Sequence, residues 1–255
     1  MKLIRIIPSL LAHKNFLIKG RNFTNHKYVG DVYNTVKIFS EKKAHEIFLI
    51  DIFATKENRV IDLELIRKIK KEIFVPLCVG GGIHDADLVG SFIGEGVEKV
   101  SINSELENNF NIIEKIASKF GSQSVVASID VKKINGDYKV CFQNSQKISN
   151  INLNEYILNI QNSGVGEIVL TSVDFEGTKK GFDIDLYKSV EGIIKVPLIA
   201  NGGANNLDSF SELFDNTSLS SASAGAGFVF YGERDAVLIS YPTSIELEKL
   251  ITKYE

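Results

Sequence analysis

The 255-residue sequence predicts an α/β fold, a (β/α)8 barrel whose two halves repeat each other. Two observations lead to this prediction. Short β-branched runs alternate with longer segments of helical periodicity along the chain, which is typical of βα units around a parallel sheet. The segment VPLCVGGGI at 75–83 also reappears as VPLIANGGA at 196–204, an offset of 196 − 75 = 121 residues. This offset is nearly half of the chain.

Eight strands follow from the alternation. We expect them at 3–9, 47–51, 75–79, 99–103, 125–130, 167–171, 196–201 and 218–224. Helices are expected between them, for example at 63–73, where apolar residues recur at three- to four-residue spacing. The alternating segment NGDYKVCFQN at 135–144 predicts a small hairpin inserted after strand five.

The repeat extends to the neighbouring strands. IIPSLL at 6–11 aligns with VVASID at 125–130, an offset of 125 − 6 = 119 residues, and the strand that ends at Ser104 corresponds to the one that ends at Gly227. A doubled set of four βα units closes more simply into a barrel than into an open sheet, although a doubly wound sheet is the alternative. Because no linker rich in glycine, proline or serine divides the chain, we expect residues 1–255 to form one TIM-barrel domain.

Composition excludes several classes of partner. The net charge of -3 is spread over 29 basic and 32 acidic residues without long blocks of one sign, so we expect no nucleic-acid partner. Cys78 and Cys141 stand in different segments without metal-like spacing, so we expect reduced thiols, no metal and no cofactor. The apolar N-terminus is too short to span a bilayer, so we expect no membrane association and a cytoplasmic location.

Glycines at the strand ends predict two phosphate sites. A Gly-Gly pair after a strand lets backbone amides approach an anion, and the next helix adds the positive end of its dipole. The first expected cradle is Gly81, Gly82, Asn103 and Ser104, and the second is Gly177, Gly202, Gly203, Ala224 and Gly225. Sites on opposite sides of the mouth indicate a small molecule with a phosphate at each end. The alternative is that these glycines serve only tight turns.

Seven ordered segments carry a resemblance to a known family. They are RIIPSL, FLIDI, LCVGGGI, KVSINS, FGSQSVVASIDVK, GEIVLTSVDFEGTKKGFD and IANGGA. Together they resemble the cyclase subunit of imidazole glycerol phosphate synthase over almost the whole chain. The resemblance implies a duplicated half-barrel lyase of histidine biosynthesis, which binds a bisphosphorylated ribonucleotide across the mouth and takes ammonia from a glutaminase subunit.

The resemblance also implies two aspartates, at the ends of strands one and five, that act as general acid and base. Asp130 stands at the second position, but Leu11 stands at the first, and the offset of 119 independently superposes Leu11 on Asp130. Because leucine has no titratable proton, we expect the cyclisation chemistry to be altered or lost. His13 is the alternative base nearby. Other residues that match the family pattern at the mouth are Lys19, Asp51 and Thr171, and Asn201 stands where serine is usual.

A set of charges matches the family at the opposite end of the barrel. Its members, at or just before strand starts, are Arg5, Glu46, Lys99 and Glu167, and Gln123 matches on the same face. In the family this ring guards the entrance for ammonia from the docked glutaminase. Four charges of balanced sign are costly to bury unless they pair. The alternative is a set of solvated charges that stabilise the base of the barrel.

The C-terminal stretch GFVFYGERDAVLISYP resembles a divergent branch associated with surface-polysaccharide synthesis, which also lacks the strand-one aspartate. In that branch the barrel and a glutaminase pass ammonia to a separate sugar-amidating enzyme. We therefore expect a heterodimer with a glutaminase subunit that supplies a sugar amidotransferase. The main alternative is an authentic cyclase subunit, which converts the bisphosphorylated ribonucleotide with ammonia into imidazole glycerol phosphate and an aminoimidazole carboxamide ribotide. A phosphoribosyl isomerase and a scaffolding role are further alternatives.

Overall fold

The computed structural model describes residues 3–254 and contains a closed ring of parallel strands. The strands are β1 (Arg5–His13), β2 (Phe16–Arg21), β3 (Thr24–Asp31), β4 (Ile47–Asp51), β5 (Leu77–Gly80), β6 (Lys99–Ile102), β7 (Val125–Ile134), β8 (Asp137–Phe142), β9 (Lys147–Asn152), β10 (Glu167–Ser172), β11 (Leu198–Asn201), β12 (Ser221–Ala224), β13 (Phe230–Tyr231) and β14 (Ala236–Val237). Within the described residues, the parallel ring runs β1-β4-β5-β6-β7-β10-β11-β12, and β12 pairs with β1 to close it. The predicted (β/α)8 barrel is confirmed.

Helices connect the parallel strands. They are α1 (Val32–Glu41), α2 (Leu63–Lys70), α3 (Ala86–Gly94), α4 (Asn111–Phe120), α5 (Leu153–Asn162), α6 (Ile184–Val190), α7 (Leu207–Asn216), α8 (Ala226–Val229) and α9 (Ser244–Thr252). The side chain of Asp62 caps the first turn of α2, whose apolar side packs on the barrel through Leu65, Ile66 and Ile69. Across residues 3–254, no helix has the length and apolar character needed to cross a membrane.

Several predicted boundaries differ from the structure. β5 begins at Leu77 and β11 at Leu198, each two residues later than predicted and directly after a proline. Pro76 and Pro197 have no backbone N–H to donate to a strand ladder, so each precedes the paired region. β12 begins at Ser221 instead of 218, and α2 ends at Lys70 instead of 73.

Both half-barrels extend their first strand into an antiparallel hairpin. β1 runs on to His13, beyond the predicted 3–9, because its end pairs with β2, which in turn pairs with β3. We call residues 14–31 the lid hairpin. In the second half, β7 continues to Ile134 and pairs with β8, and β8 pairs with β9. The predicted hairpin at 135–144 is therefore corrected: its turn is Asn135-Gly136, and its first strand is the end of β7.

The interior of the barrel contains an apolar layer that displays the two-fold repeat. Its members, all at most 4% exposed, are Ile7, Phe48, Cys78, Val126, Val169 and Ile199. The three members from the second half of the chain follow the three from the first half at nearly constant offsets: 126 − 7 = 119, 169 − 48 = 121 and 199 − 78 = 121. The offsets equal those of the sequence repeat, so the two halves of the sequence supply equivalent interior positions.

Candidate functional site

Leu11 and Asp130 occupy equivalent positions on opposite sides of the barrel mouth. β1 and β7 are separated by three strands in either direction around the ring. Side chains alternate along a strand, so Leu11 points to the same interior as Ile7, and Asp130 to the same interior as Val126. The sequence-based superposition of the two residues therefore corresponds to two facing positions, of which one carries a carboxyl group.

The carboxyl group of Asp130 lies in an environment that favours its protonated form. Burial raises the pKa of Asp130 to about 7, and the negative charge of Glu176 contributes in the same direction. Hydrogen bonds from Asn103 and Thr171 oppose this shift, the first from Asn103 Nδ2 to Asp130 Oδ2 at 2.9 Å. An acid with this pKa can accept or release a proton at neutral pH.

A polar belt lies around Asp130 at the carboxyl ends of the strands. Asn201 Nδ2 donates to Thr171 Oγ1 at 3.1 Å, and Ser223 Oγ donates to Asn201 Oδ1 at 2.8 Å. The hydroxyl groups of Ser101 and Ser128 lie 2.7 Å apart. The three serines were not predicted as site residues. Their spacing of two from interior residues on the same strands is the signal that could have found them.

Lys19 is buried above the second cradle. Its ammonium group forms an ion pair with Glu176, which is also buried and was not predicted. A Cβ added at Gly225 would lie 2.9 Å from the carbonyl oxygen of Ser9 and 2.7 Å from Lys19 Nζ, so a side chain here would displace the ammonium group. The structure thus brings Lys19 and Gly225 together, although 206 residues separate them in sequence (225 − 19).

Asp51 is engaged by donors from its own half-barrel. Arg59 NH1 and NH2 donate to its two carboxylate oxygens at 2.6 and 3.0 Å, and the backbone N–H groups of Lys14 and Phe53 donate at 3.0 and 3.1 Å. This network orders the loop after β4. A substrate contact by Asp51 stays a prediction, and Arg59 is a further residue that sequence reasoning missed.

His13, the alternative base, is the last residue of β1. Its Nε2 lies 2.8 Å from Glu57 Oε1, and its ring packs on Phe53 at a centroid distance of 4.7 Å. Arg59 also binds Glu57, with Nε to Oε2 at 2.7 Å. His13 thus belongs to a chain of hydrogen-bonded side chains that continues through Glu57 and Arg59 to Asp51. A role as a base stays a prediction.

The first glycine cradle opens into a cleft of about 390 Å³. Gly81 and Gly82 have φ values of +121° and +70°, and a Cβ at Gly82 would overlap the carbonyl oxygen of Arg59. The cleft is also lined by Arg59, His84 and Ser104. Asn103, by contrast, directs its amide to Asp130 and to the backbone of Ser128. The cleft therefore combines closely packed glycine backbone, a guanidinium group and a hydroxyl group, which suit an anion, and Glu105 adds a carboxylate to its lining.

The second cradle repeats this backbone but is covered. Gly202 and Gly203 have φ values of +102° and +101°, and both are buried, as are Ala224 and Gly225. Gly177 lies against Gly20 of the lid hairpin. A larger cleft of about 750 Å³ lies outside this cradle, between segments 178–179, 205–207 and 227–246. The two cradles are thus alike in backbone and different in access.

The four charges predicted at the lower opening form a closed ring of ion pairs. Arg5 NH1 lies 3.2 Å from Glu46, and Arg5 NH2 pairs with Glu167. Lys99 Nζ lies 3.0 Å from Glu46 and 2.8 Å from Glu167. Burial raises the pKa of Glu46. For Lys99, burial acts to lower the pKa, but the negative charges of Glu46 and Glu167 outweigh it, so the pKa of Lys99 is raised. Gln123 is exposed on the same face, directly before β7.

The comparisons with known proteins agree with this geometry. The family model described as "Histidine biosynthesis protein" matches residues 5–235. A Pseudomonas aeruginosa protein provisionally named imidazole glycerol phosphate synthase subunit hisF2 is 41% identical over 96% of this chain and 98% of its own length. A Vibrio vulnificus protein with the provisional name subunit hisF3 is 41% identical over 97% and 96%. The imidazole glycerol phosphate synthase subunit HisF of a Thermotoga species is 39% identical over 82% and 83%.

Proposed function

The chain belongs to the histidine biosynthesis protein family, and from this premise we propose that it is the barrel subunit of a glutamine-dependent complex that passes ammonia to a sugar-amidating enzyme. The observation that carries the proposal is the contrast between the two ends of the barrel. The ring of Arg5, Glu46, Lys99 and Glu167 is complete, whereas Leu11 faces Asp130 at the mouth. The entrance is intact and one proton-transfer group is missing.

The layers along the barrel axis support passage of a small uncharged molecule. Above the ring lies the apolar layer around Phe48, and above that lies the polar belt around Asp130. An apolar layer admits neutral ammonia far more readily than ammonium, because an unpaired charge is costly to bury. In this proposal the ring receives ammonia from the glutaminase, and the mouth delivers it.

Exposed apolar side chains support docking of the glutaminase at the lower opening. Phe74 is 96% exposed and Leu3 is 80% exposed, and each lies a few residues before a barrel strand, β5 or β1. Exposed apolar groups beside a functional opening are typical of a protein interface. Gln123 on the same face adds a hydrogen-bonding group to this surface.

The proposal is tested by reconstituting the pathway with purified proteins. The barrel protein is mixed with its glutaminase and a candidate sugar amidotransferase, with glutamine as the nitrogen donor, and amidated sugar is measured. We expect product only when all three proteins are present. Absence of coupling, together with normal turnover of the bisphosphorylated ribonucleotide, rejects the proposal.

An authentic cyclase subunit is the second candidate, and the raised pKa of Asp130 favours it. The cyclase would use Asp130 and a substitute acid or base, for which His13 is available on β1. Complementation of a histidine auxotroph distinguishes the two candidates. Growth at normal expression would favour the cyclase, and failure to grow would favour the ammonia-passing subunit.

A further inference from the structure

One carboxylate joins three segments at the rim of the second cradle. Asp235, in the turn between β13 and β14, accepts from Arg21 NH2 of the lid hairpin at 3.0 Å. Its other oxygen lies 2.6 Å from Nζ of Lys179, which follows β10. Lys179 also donates to the carbonyl oxygen of Gly232 at 2.8 Å. Asp235 therefore connects the C-terminal hairpin to the lid hairpin and to the loop after β10.

The two ion pairs of Asp235 differ in their surroundings. The side chains of Lys179 and Asp235 are only 12% and 14% exposed, so solvent screens their attraction weakly. The side chain of Arg21 is 55% exposed, so solvent weakens its ion pair with Asp235 relative to the pair between Lys179 and Asp235. Lys179 thus fixes Asp235, and Asp235 offers a fixed acceptor to the lid.

The lid hairpin is also held on its inner side. Asn22 Nδ2 donates to the carbonyl oxygens of Val173 and Asp174 at 2.8 and 2.7 Å. The backbone N–H of Asn22 donates to the carbonyl oxygen of Glu176 at 2.9 Å. Arg21 and Asn22 are adjacent, so the outer and inner contacts fix the same end of β2. Lys19 lies two residues earlier, with its ammonium group between Glu176 and Gly225.

We propose that Asp235 is a positioning residue for the second cradle: by holding Arg21 and Lys179 it keeps the lid hairpin closed and the ammonium group of Lys19 against Gly225. A phosphate group bound at this cradle then meets a cation that is already in place. The inference rests on the phosphate sites predicted from the glycines at the strand ends, and it is independent of the proposed ammonia transfer. It adds a residue of the C-terminal hairpin that does not itself touch the ligand.

The test compares three variants of the full-length protein. Asp235→Asn removes the charge but keeps the size, and asparagine tolerates the positive φ of 53° at this position. Asp235→Glu keeps the charge. Asp87→Asn is the matched control, because it removes a carboxylate that pairs with Lys119 at 2.6 Å on the surface of the other half-barrel.

The first measurement is trypsin cleavage within the lid hairpin, which contains Lys14, Lys19, Arg21 and Lys27. We expect Asp235→Asn to be cleaved there about tenfold faster, because cleavage of a transiently opened segment follows its open population. Asp235→Glu should be cleaved more slowly than Asp235→Asn because it keeps the charge, and Asp87→Asn should equal the wild type. A lid that is equally protected in Asp235→Asn overturns the inference.

The second measurement is calorimetric titration with inorganic phosphate, in which the first cradle serves as an internal control. We expect Asp235→Asn to weaken one site about fivefold and to leave the other unchanged. A lid that opens without any change in phosphate affinity refutes the positioning role. If the wild type binds no phosphate, the proposed ligand and the positioning role both fail, while the cleavage result still decides whether Asp235 holds the lid.

Discussion

The side-chain amide of Asn103 donates to the carboxylate of Asp130 at 2.9 Å, across the ends of the neighbouring strands β6 and β7. This bond favours the ionised carboxylate, yet burial raises the pKa of Asp130 to about 7. Desolvation therefore outweighs the hydrogen bond. The balance makes Asp130 a group whose protonation affects the stability of the whole barrel.

We predict that Asp130→Asn changes how stability depends on pH. Between about pH 4 and pH 7 the folded wild type retains the Asp130 proton that the unfolded chain has lost, so its free energy of unfolding falls as pH rises. Asparagine has no such proton. The stability of Asp130→Asn relative to the wild type should therefore increase with pH, by at most about 1.4 kcal/mol per pH unit.

Urea denaturation at pH 4.5 to 8 measures this difference. The exposed Asp137→Asn is the control, and its profile should run parallel to that of the wild type. A parallel profile for Asp130→Asn as well would contradict the prediction.

We predict that Leu11→Asp creates or increases cyclase activity. The substitution places a second carboxyl group opposite Asp130. Each half-barrel then carries an aspartate at the equivalent position. A positioned acid or base contributes at least about a hundredfold to a rate. Complementation of a histidine auxotroph and turnover of the bisphosphorylated ribonucleotide measure the effect.

Leu11→Asn is the matched control, because it brings the same size and polarity without an ionisable proton. Equal activity of the Asp and Asn variants would show that polarity alone matters at this position. It would remove the argument that Leu11 interrupts proton transfer.

We predict that Lys99→Met lowers the free energy of unfolding by about 2 kcal/mol at pH 7. The variant leaves Glu46 and Glu167, both buried, with Arg5 as their shared partner in the ring. The loss should shrink on acidification, since burial already raises the pKa of Glu46 and protonated carboxyl groups no longer repel.

Denaturant unfolding at pH 7 and pH 5 checks this prediction. Lys119→Met removes an exposed ion pair with Asp87 and should change stability by less than about 1 kcal/mol. Comparable losses for the two lysine variants would mean that the ring is no more than a set of solvated charges.

We predict opposite effects of two glycine-to-alanine substitutions. Gly203 has φ +101°, and its Cβ would overlap the carbonyl oxygen of Gly181, so Gly203→Ala should cost about 2 kcal/mol or more. Gly94 lies in helix α3 with no atom within 4 Å of an added Cβ. Gly94 is the last residue of α3, so Gly94→Ala should stabilise by less than the roughly 1 kcal/mol expected in a helix interior. Thermal unfolding measures both changes, and a neutral Gly203→Ala would count against a strained cradle.

The sequence by itself determined the architecture and the positions of the repeated segments. Strand and helix order follow from local periodicity, and the offsets of 119 and 121 residues align Leu11 with Asp130 and one Gly-Gly pair with the other. The four charges of the lower ring were also named from the sequence, because they match the pattern of the family that the sequence resembles, at or just before strand starts. The single-domain organisation of residues 1–255 and the ligand contacts of these residues stay predictions.

Only the tertiary structure decided which groups meet. Lys19 pairs with Glu176, 157 residues away, and Arg21 with Asp235, 214 residues away. The lid hairpin was not predicted, because its polar strand β3 has little apolar alternation and is largely exposed. Such contacts depend on how loops from distant βα units fold over a shared mouth. Local periodicity contains no information about that packing, and barrel closure supplies it.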